Sequence, residues 1–382
     1  MKRRIFAGYA APNAPEGSPR TTHRATGLTR GVTTAIAITA IGSLAAAFSS
    51  AVHAQSTAPA RALIPDGTPV EIVSGLRIPW SAVTIGQDGL VSQRGSAEIL
   101  RFRPGDTPQS AGTVPDVVAR GDGGMLGLAT RTEGGNVWLY AYHSTSAGNR
   151  IVRMPYAEGM LGDAEIILDG LPGGRAHNGG RIAFGPDGML YATVGETRNP
   201  ELSQDLQSLA GKILRMMPEG DIPDDNPFDG SYVYSFGHRN PQGITWDETG
   251  QMWATEFGNN TWDEFNRIVP GGNYGWPVVE GQGGNPDYID PVLQWPTDQM
   301  GPSGLTYIDG TFFIAGLTGQ RLWTVNIAAD GTPEATDYYT GEYARIRDVL
   351  PGSDGNLWFL TNTRGGNNNR IMSVSLAPSP TP

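Results

Sequence analysis

The chain contains no cysteine. That excludes disulfides, Cys-based zinc sites, iron–sulfur clusters, thiol nucleophiles and c-type haem attachment together. Any metal must be held by oxygen or by the five histidines. Positive charge is also scarce: 27 Lys and Arg stand against 38 Asp and Glu, a formal net charge of −11. A phosphate-tracking nucleic-acid binder does not fit that balance. Amphipathic helical patterns are missing too, and the best short candidate is Pro200 to Leu209, within a loop. What remains is turn-rich and aromatic, with 53 Gly, 29 Pro, 9 Trp, 13 Tyr and 11 Phe in 382 residues. That is enough apolar surface for a sizeable core, and too little Gly and Pro for a disordered chain.

Residues 1–54 read as a signal peptide. Six basic residues face one acid, Glu16, and an uncharged apolar run from Val32 to Phe48 follows. Val52 and Ala54 occupy the −3 and −1 positions of a cleavage site before Gln55. The run is about 17 residues, short for a span of roughly 20. The expectation is export to the periplasm or exterior, with no membrane span kept after cleavage. Whether the route is general secretion or twin-arginine is open, because Arg3-Arg4 lies far ahead of the apolar run. Residues 55–62 read as a linker and 377–382 as a disordered tail. Beyond residue 54 the only lysine is Lys212.

The rest is repetitive. A Gly-containing dipeptide precedes a β-prone run six times, at Asp88-Gly89, Gly134-Gly135, Asp187-Gly188, Thr249-Gly250, Asp309-Gly310 and Asp354-Gly355. One Asp-Gly is a common hairpin turn and carries little weight. Six, about 53 residues apart on average, match the size of propeller blades. The expected fold is all-β: one six-bladed β-propeller of four-stranded antiparallel blades over residues 63–376.

Propellers place their chemistry where loops from several blades converge, and four segments here concentrate unusual residues. His177 precedes Gly179-Gly180, which permits close backbone approach to a ligand. Arg239 stands beside Asn240, a cation next to an amide that suits quinone or carboxylate oxygens. Gly258 to Glu264 is rich in the hard oxygens that calcium prefers. Arg345 and Arg347 have the period-2 spacing that puts two side chains on one face of a strand. Each has a bland alternative: a surface histidine, an Asn-Pro turn, a solvated acidic loop, a surface arginine pair.

Together these segments carry a resemblance to the pyrroloquinoline quinone (PQQ)-dependent soluble aldose sugar dehydrogenases of the glucose/sorbosone dehydrogenase group. The ordered strings include Gly123-Gly-Met-Leu-Gly-Leu-Ala129, His177-Asn-Gly-Gly-Arg-Ile, Gly185-Pro-Asp-Gly-Met-Leu-Tyr191 and Leu209-Ala-Gly-Lys-Ile-Leu-Arg215. They continue with Gly237-His-Arg-Asn-Pro-Gln-Gly243, Asp263-Glu-Phe-Asn, Asn273-Tyr-Gly-Trp-Pro277 and Arg345-Ile-Arg-Asp348. The resemblance runs from about Leu76 to Ser375. It implies His177 as the general base at the sugar C1 hydroxyl, with Arg239 and Asn240 at the quinone oxygens. It implies Arg345 and Arg347 at the PQQ carboxylates, and calcium on the Gly258 carbonyl, with Asn259 where the family usually has Pro. Two other positions depart from the pattern: Thr318 where a Lys or Arg is frequent, and Asp122 where Gln or Glu is usual. Arg321 is a candidate to replace the cation absent at Thr318. Ala176, in place of an Asp, points to the broad aldose branch.

The implied partners are an aldose substrate and an external electron acceptor, either a small carrier, a quinone or a cytochrome. A homodimer is left open. Two other classes remain: a calcium-dependent lactonase-type propeller hydrolase, and a non-catalytic propeller that binds a glycan or protein. Trp80, Trp262, Trp276 and Trp295 could serve as sugar-stacking platforms, or simply pack the core.

Overall fold

The computed structural model describes residues 62–363 and 366–380. The signal segment and residues 55–61 of the linker lie outside the described residues. Six antiparallel sheets follow one another along the chain, giving the six-bladed propeller. Blade 1 comprises Pro79–Ile85, Asp88–Gln93, Glu98–Phe102 and Gln109–Thr113. Blade 2 comprises Met125–Glu133, Asn136–Ser144, Asn149–Ala157 and Glu165–Leu171, with Met160–Leu161 as a short fifth strand. Blade 3 is Ile182–Phe184, Leu190–Val194, Lys212–Met216 and Val233–Phe236. Blade 4 is Pro241–Trp246, Met252–Glu256, Trp262–Ile268 and Leu293–Pro296. Blade 5 is Pro302–Ile308, Thr311–Gly316, Arg321–Ile327 and Pro333–Tyr338.

Blade 6 draws on both ends of the propeller. Ile346–Pro351, Leu357–Thr361 and Asn369–Pro378 are completed by the first strand, Leu63–Leu76. Leu63 pairs with Pro378 and Ile64 with Ala377, so the ring closes through backbone hydrogen bonds. Residues 377 and 378, assigned to a disordered tail from their Pro-rich composition, are thus strand. Ser379 N also donates to the Ala62 carbonyl at 2.7 Å. Edge pairing outweighs the proline signal here, because Pro378 sits at the strand end, where a missing N–H is tolerated.

The six dipeptides all lie at or beside the hairpin between the first and second strand of a blade. Gly134-Gly135 and Asp309-Gly310 form two-residue turns with both φ angles positive, as a type I′ turn requires. In blade 1 the turn is Gly86-Gln87, and Asp88-Gly89 instead begins the second strand. In blades 3, 4 and 6 a turn aspartate accepts from the aromatic that follows it: Asp187 from Tyr191, Asp247 from Trp253, Asp354 from Trp358, at 2.8–2.9 Å.

Six apolar clusters fill the six junctions between neighbouring blades. Successive residues of a strand serve opposite junctions: Leu90 packs toward blade 2 and Val91 toward blade 6, Phe312 toward blade 4 and Phe313 toward blade 6. Alternate side chains of a strand point to opposite faces, and here both faces are buried. That is why these strands read as continuous apolar runs. The helix expected over Pro200 to Leu209 shrinks to a single 3-10 turn, Pro200–Ser203. Among the described residues no helix is long and apolar enough to cross a membrane.

Candidate active site

First and second strands of a blade are antiparallel, so the start of one and the end of the other meet at the same end of the propeller. Trp80, His177, Arg239, Asn240, Arg345 and Arg347 come from first strands or the residues just ahead of them. Arg94, Gly258, Asn259 and Thr318 follow second strands. All of these, with Asp122, line one cavity of about 350 Å³. Every residue singled out as catalytic, cofactor-binding or metal-binding is brought together there.

His177 is held in a left-handed backbone conformation, φ +56°, a strain that only firm surroundings maintain. Asn178 supplies them, accepting from Gly174 N and donating to Gly174 O, both at 2.9 Å. Gly195 must lack a side chain, since a Cβ there would lie 2.1 Å from the His177 carbonyl oxygen. His177 Nδ1 donates to Glu196, a carboxylate buried to 1 % exposure. That bond fixes the proton on Nδ1 and leaves Nε2 as an acceptor facing the cavity. Arg239 Nη2 sits 3.3 Å from Nε2.

Arg239 is half-buried, with its guanidinium set among carbonyls. Its Nη1 donates to Phe257 O at 3.2 Å and Gly258 O at 2.5 Å, and Nη2 lies 3.4 Å from Asn259 Oδ1. Burial pulls its pKa down, against the pull of Glu196 and Glu256. Glu256 receives the backbone N–H groups of Arg239 and Asn240. Glu280 accepts four consecutive amides, Asn259 to Trp262, at 2.7–3.1 Å. This fixes the loop whose Gly258 carbonyl faces the Arg239 cation. The Gly258 carbonyl and Asn259 Oδ1 are hard oxygens of the type calcium takes, and here both face the Arg239 guanidinium. Asp263 binds Gly258 N and Gly301 N, and burial raises its pKa to about 7.

The opposite wall is cationic. Arg347 donates to Gln242 Oε1 at 2.9 Å, stands 5.7 Å from the Trp80 ring centroid, and leaves its buried Nε without a partner. Burial pushes its pKa well below the usual guanidinium range, and Arg345, Arg94 and Arg181 push the same way. Arg181, by contrast, is neutralised: it pairs with Asp348 at 3.0 Å and lies 4.5 Å from the Trp80 ring centroid. A cavity wall with crowded guanidinium groups and an orphaned N–H fits a polyanionic ligand such as PQQ.

Other expectations resolve differently. Arg321 does not replace the cation absent at Thr318: it pairs with Asp337 at 3.2 Å, toward the blade's outer strand, and does not line the cavity. Trp80 lines the cavity but is buried, and Trp295 packs in the blade 4–5 core. Trp276 lies under Arg239, 5.5 Å from its guanidinium carbon. His143 is buried inside a blade 2 strand. His238 is fully buried, bonded to Glu256 and Ser235 at 2.8 Å and stacked on Tyr274. Sequence reasoning missed Glu196, Glu280 and Arg94, and placed Glu256 only in an oxygen-rich segment, whereas it holds His238 and the Arg239 and Asn240 amides. An acid after Gly195 and a charge after Gln93 were available signals, but neither had a partner visible in the sequence.

A six-bladed propeller with a histidine–carboxylate pair facing an arginine wall defines the class of protein. Residues 76–372 match the glucose/sorbosone dehydrogenase family, to which the chain belongs. It is 42 % identical to the PQQ-bound aldose sugar dehydrogenase of Streptomyces coelicolor, whose structure superposes with a TM-score of 0.77 over 82 % of this chain and 100 % of that one. It is 28 % identical to aldose sugar dehydrogenase YliI of Escherichia coli, over 78 % of this chain and 90 % of the relative. Quinoprotein glucose dehydrogenase B of Acinetobacter calcoaceticus is 32 % identical over 55 % of this chain and 52 % of that protein.

Proposed function

We propose that the protein is an exported PQQ- and calcium-dependent aldose sugar dehydrogenase that oxidises the C1 hydroxyl of an aldose to the lactone. The observation that carries the reading is His177, with Nδ1 tied to buried Glu196 and Nε2 turned to an arginine-walled cavity, 3.3 Å from Arg239 Nη2. When bound, PQQ supplies the acceptor for the hydride that leaves C1. His177 Nε2 takes the proton of the C1 hydroxyl, and Glu196 stabilises the resulting imidazolium. Arg239, beside Nε2, favours negative charge developing in the same corner of the cavity. Arg345 and Arg347 would hold PQQ carboxylates, and Asn240 and Arg239 its quinone oxygens. The Gly258 carbonyl and Asn259 would hold calcium, whose Lewis acidity polarises the bound quinone. Asp122 and Thr318 add a carboxylate and a hydroxyl at the cavity rim. Electrons leave to an external carrier, quinone or cytochrome.

Reconstitution with PQQ and calcium tests the reading directly. A quinone absorbance band that shifts when aldose is added is expected. A lactonase or a glycan-binding propeller would show neither the band nor the shift.

A further inference from the structure

The main cavity opens beside a smaller chamber of about 260 Å³. Three guanidinium groups line it, Arg94, Arg345 and Arg347, against one carboxylate, Asp122. Arg94 comes from the end of the second strand of blade 1, remote in sequence from the other two. Its backbone is pinned on both sides: Arg94 N donates to Ile78 O at 3.1 Å, and its carbonyl accepts from Met125 N at 3.0 Å. Gly124 packs against it so tightly that a Cβ there would lie 2.2 Å from the Arg94 carbonyl oxygen and 2.9 Å from its Cγ. The segment is therefore held rigidly in place. Among the described residues the Arg94 side chain makes no hydrogen bond or ion pair, although it is half-buried. Nearby, Arg347 is already crowded by positive charge. Cations that share one chamber cost the free protein stability, and an anion between them would offset that cost.

We propose that Arg94 is a cofactor-binding residue, holding a PQQ carboxylate in the smaller chamber together with Arg345 and Arg347. This rests on the reading of the protein as a PQQ enzyme. It also explains how the cavity keeps enough positive charge with a neutral side chain at Thr318 and with Arg321 turned away.

The test compares the processed parent chain with Arg94→Gln, measuring PQQ affinity by fluorescence titration at saturating calcium and at several salt concentrations. Melting of the PQQ-free proteins is followed in parallel. The expected result is a ten- to hundredfold weaker affinity and a shallower salt dependence in Arg94→Gln. Its PQQ-free form should melt at the parent's temperature or higher, because repulsion against Arg347 is relieved. Adding Thr318→Lys to Arg94→Gln should restore part of the affinity by returning a cation to the cavity. Unchanged affinity would overturn the assignment, and so would a PQQ-free form that melts markedly lower, since Arg94 would then be structural. A parent that binds no PQQ would instead sink the underlying reading of the enzyme.

Discussion

His177 Nε2 lies 3.3 Å from Arg239 Nη2, and Glu196 ties the two residues together from behind. The Glu196 carboxylate takes His177 Nδ1, while its backbone N–H donates to the Arg239 carbonyl at 2.8 Å. One residue therefore sets both the tautomer of the imidazole and the position of the cation facing it. Any change in Glu196 should be felt at both.

Replacing the base separates chemistry from binding. His177→Gln should fold and bind PQQ near the parental affinity, yet lose at least about 10²-fold in the rate of sugar oxidation. Stopped-flow reduction of bound PQQ by excess aldose measures this. Reduction at the parental rate would remove His177 from the mechanism.

Glu196→Gln preserves shape but gives up the charge that stabilises the imidazolium. A roughly tenfold or greater fall in kcat is expected, with PQQ affinity little changed. A loss confined to KM, with kcat intact, would make Glu196 a loop-holding residue only.

The fold was largely legible because a propeller repeats its turn chemistry. Asp187, Asp247 and Asp354 each hold the aromatic that follows, so the same short pattern recurs in the sequence. Two features were hidden for physical reasons. Ring closure by Leu63–Leu76 depends on a pairing between chain ends that no local pattern encodes. At the site, His177 and Arg239 stood out through their glycine and amide neighbours. Glu196 and Arg94 acquire meaning only from partners on other strands. The failed substitute, Arg321, shows the converse: its sequence position fitted, but Asp337 on the adjacent strand captured it.

Calcium removal should abolish tight PQQ binding, and added calcium should restore it. The Gly258 carbonyl and Asn259 are too few donors to hold the ion strongly without oxygens from the cofactor. Binding of the two should therefore be mutually dependent, which titration of each in the presence and absence of the other will show. PQQ binding that ignores extensive chelation would refute the metal assignment.

Arg347→Ala removes a buried guanidinium whose charge the free protein compensates poorly. PQQ affinity should fall ten- to hundredfold, as expected for loss of a charge-assisted contact of about 1.5–3 kcal/mol. Equilibrium titration of the PQQ-free variant checks it, and an unchanged affinity would assign Arg347 to the packing around Trp80.

Glu264 offers a prediction about pH. It is buried, and burial, followed by the like charge of Glu256, raises its pKa to about 8. Its two oxygens accept from Gly281 N at 2.7 Å and Asn266 Nδ2 at 3.0 Å, and these contacts only partly offset the shift. The folded state therefore keeps a proton that the unfolded chain has released. Its contribution makes stability fall as pH rises from the ordinary carboxylate range, near 4.5, to about 8. Glu264→Gln removes that dependence. The new amide can also donate to Asn266 Oδ1, which is buried without a partner, if the Asn266 amide turns over. The variant's advantage in urea midpoint over the metal-free parent should accordingly be small at pH 5 and grow steadily toward pH 8. A difference that stays constant across that range would mean that Glu264 does not titrate between the two states.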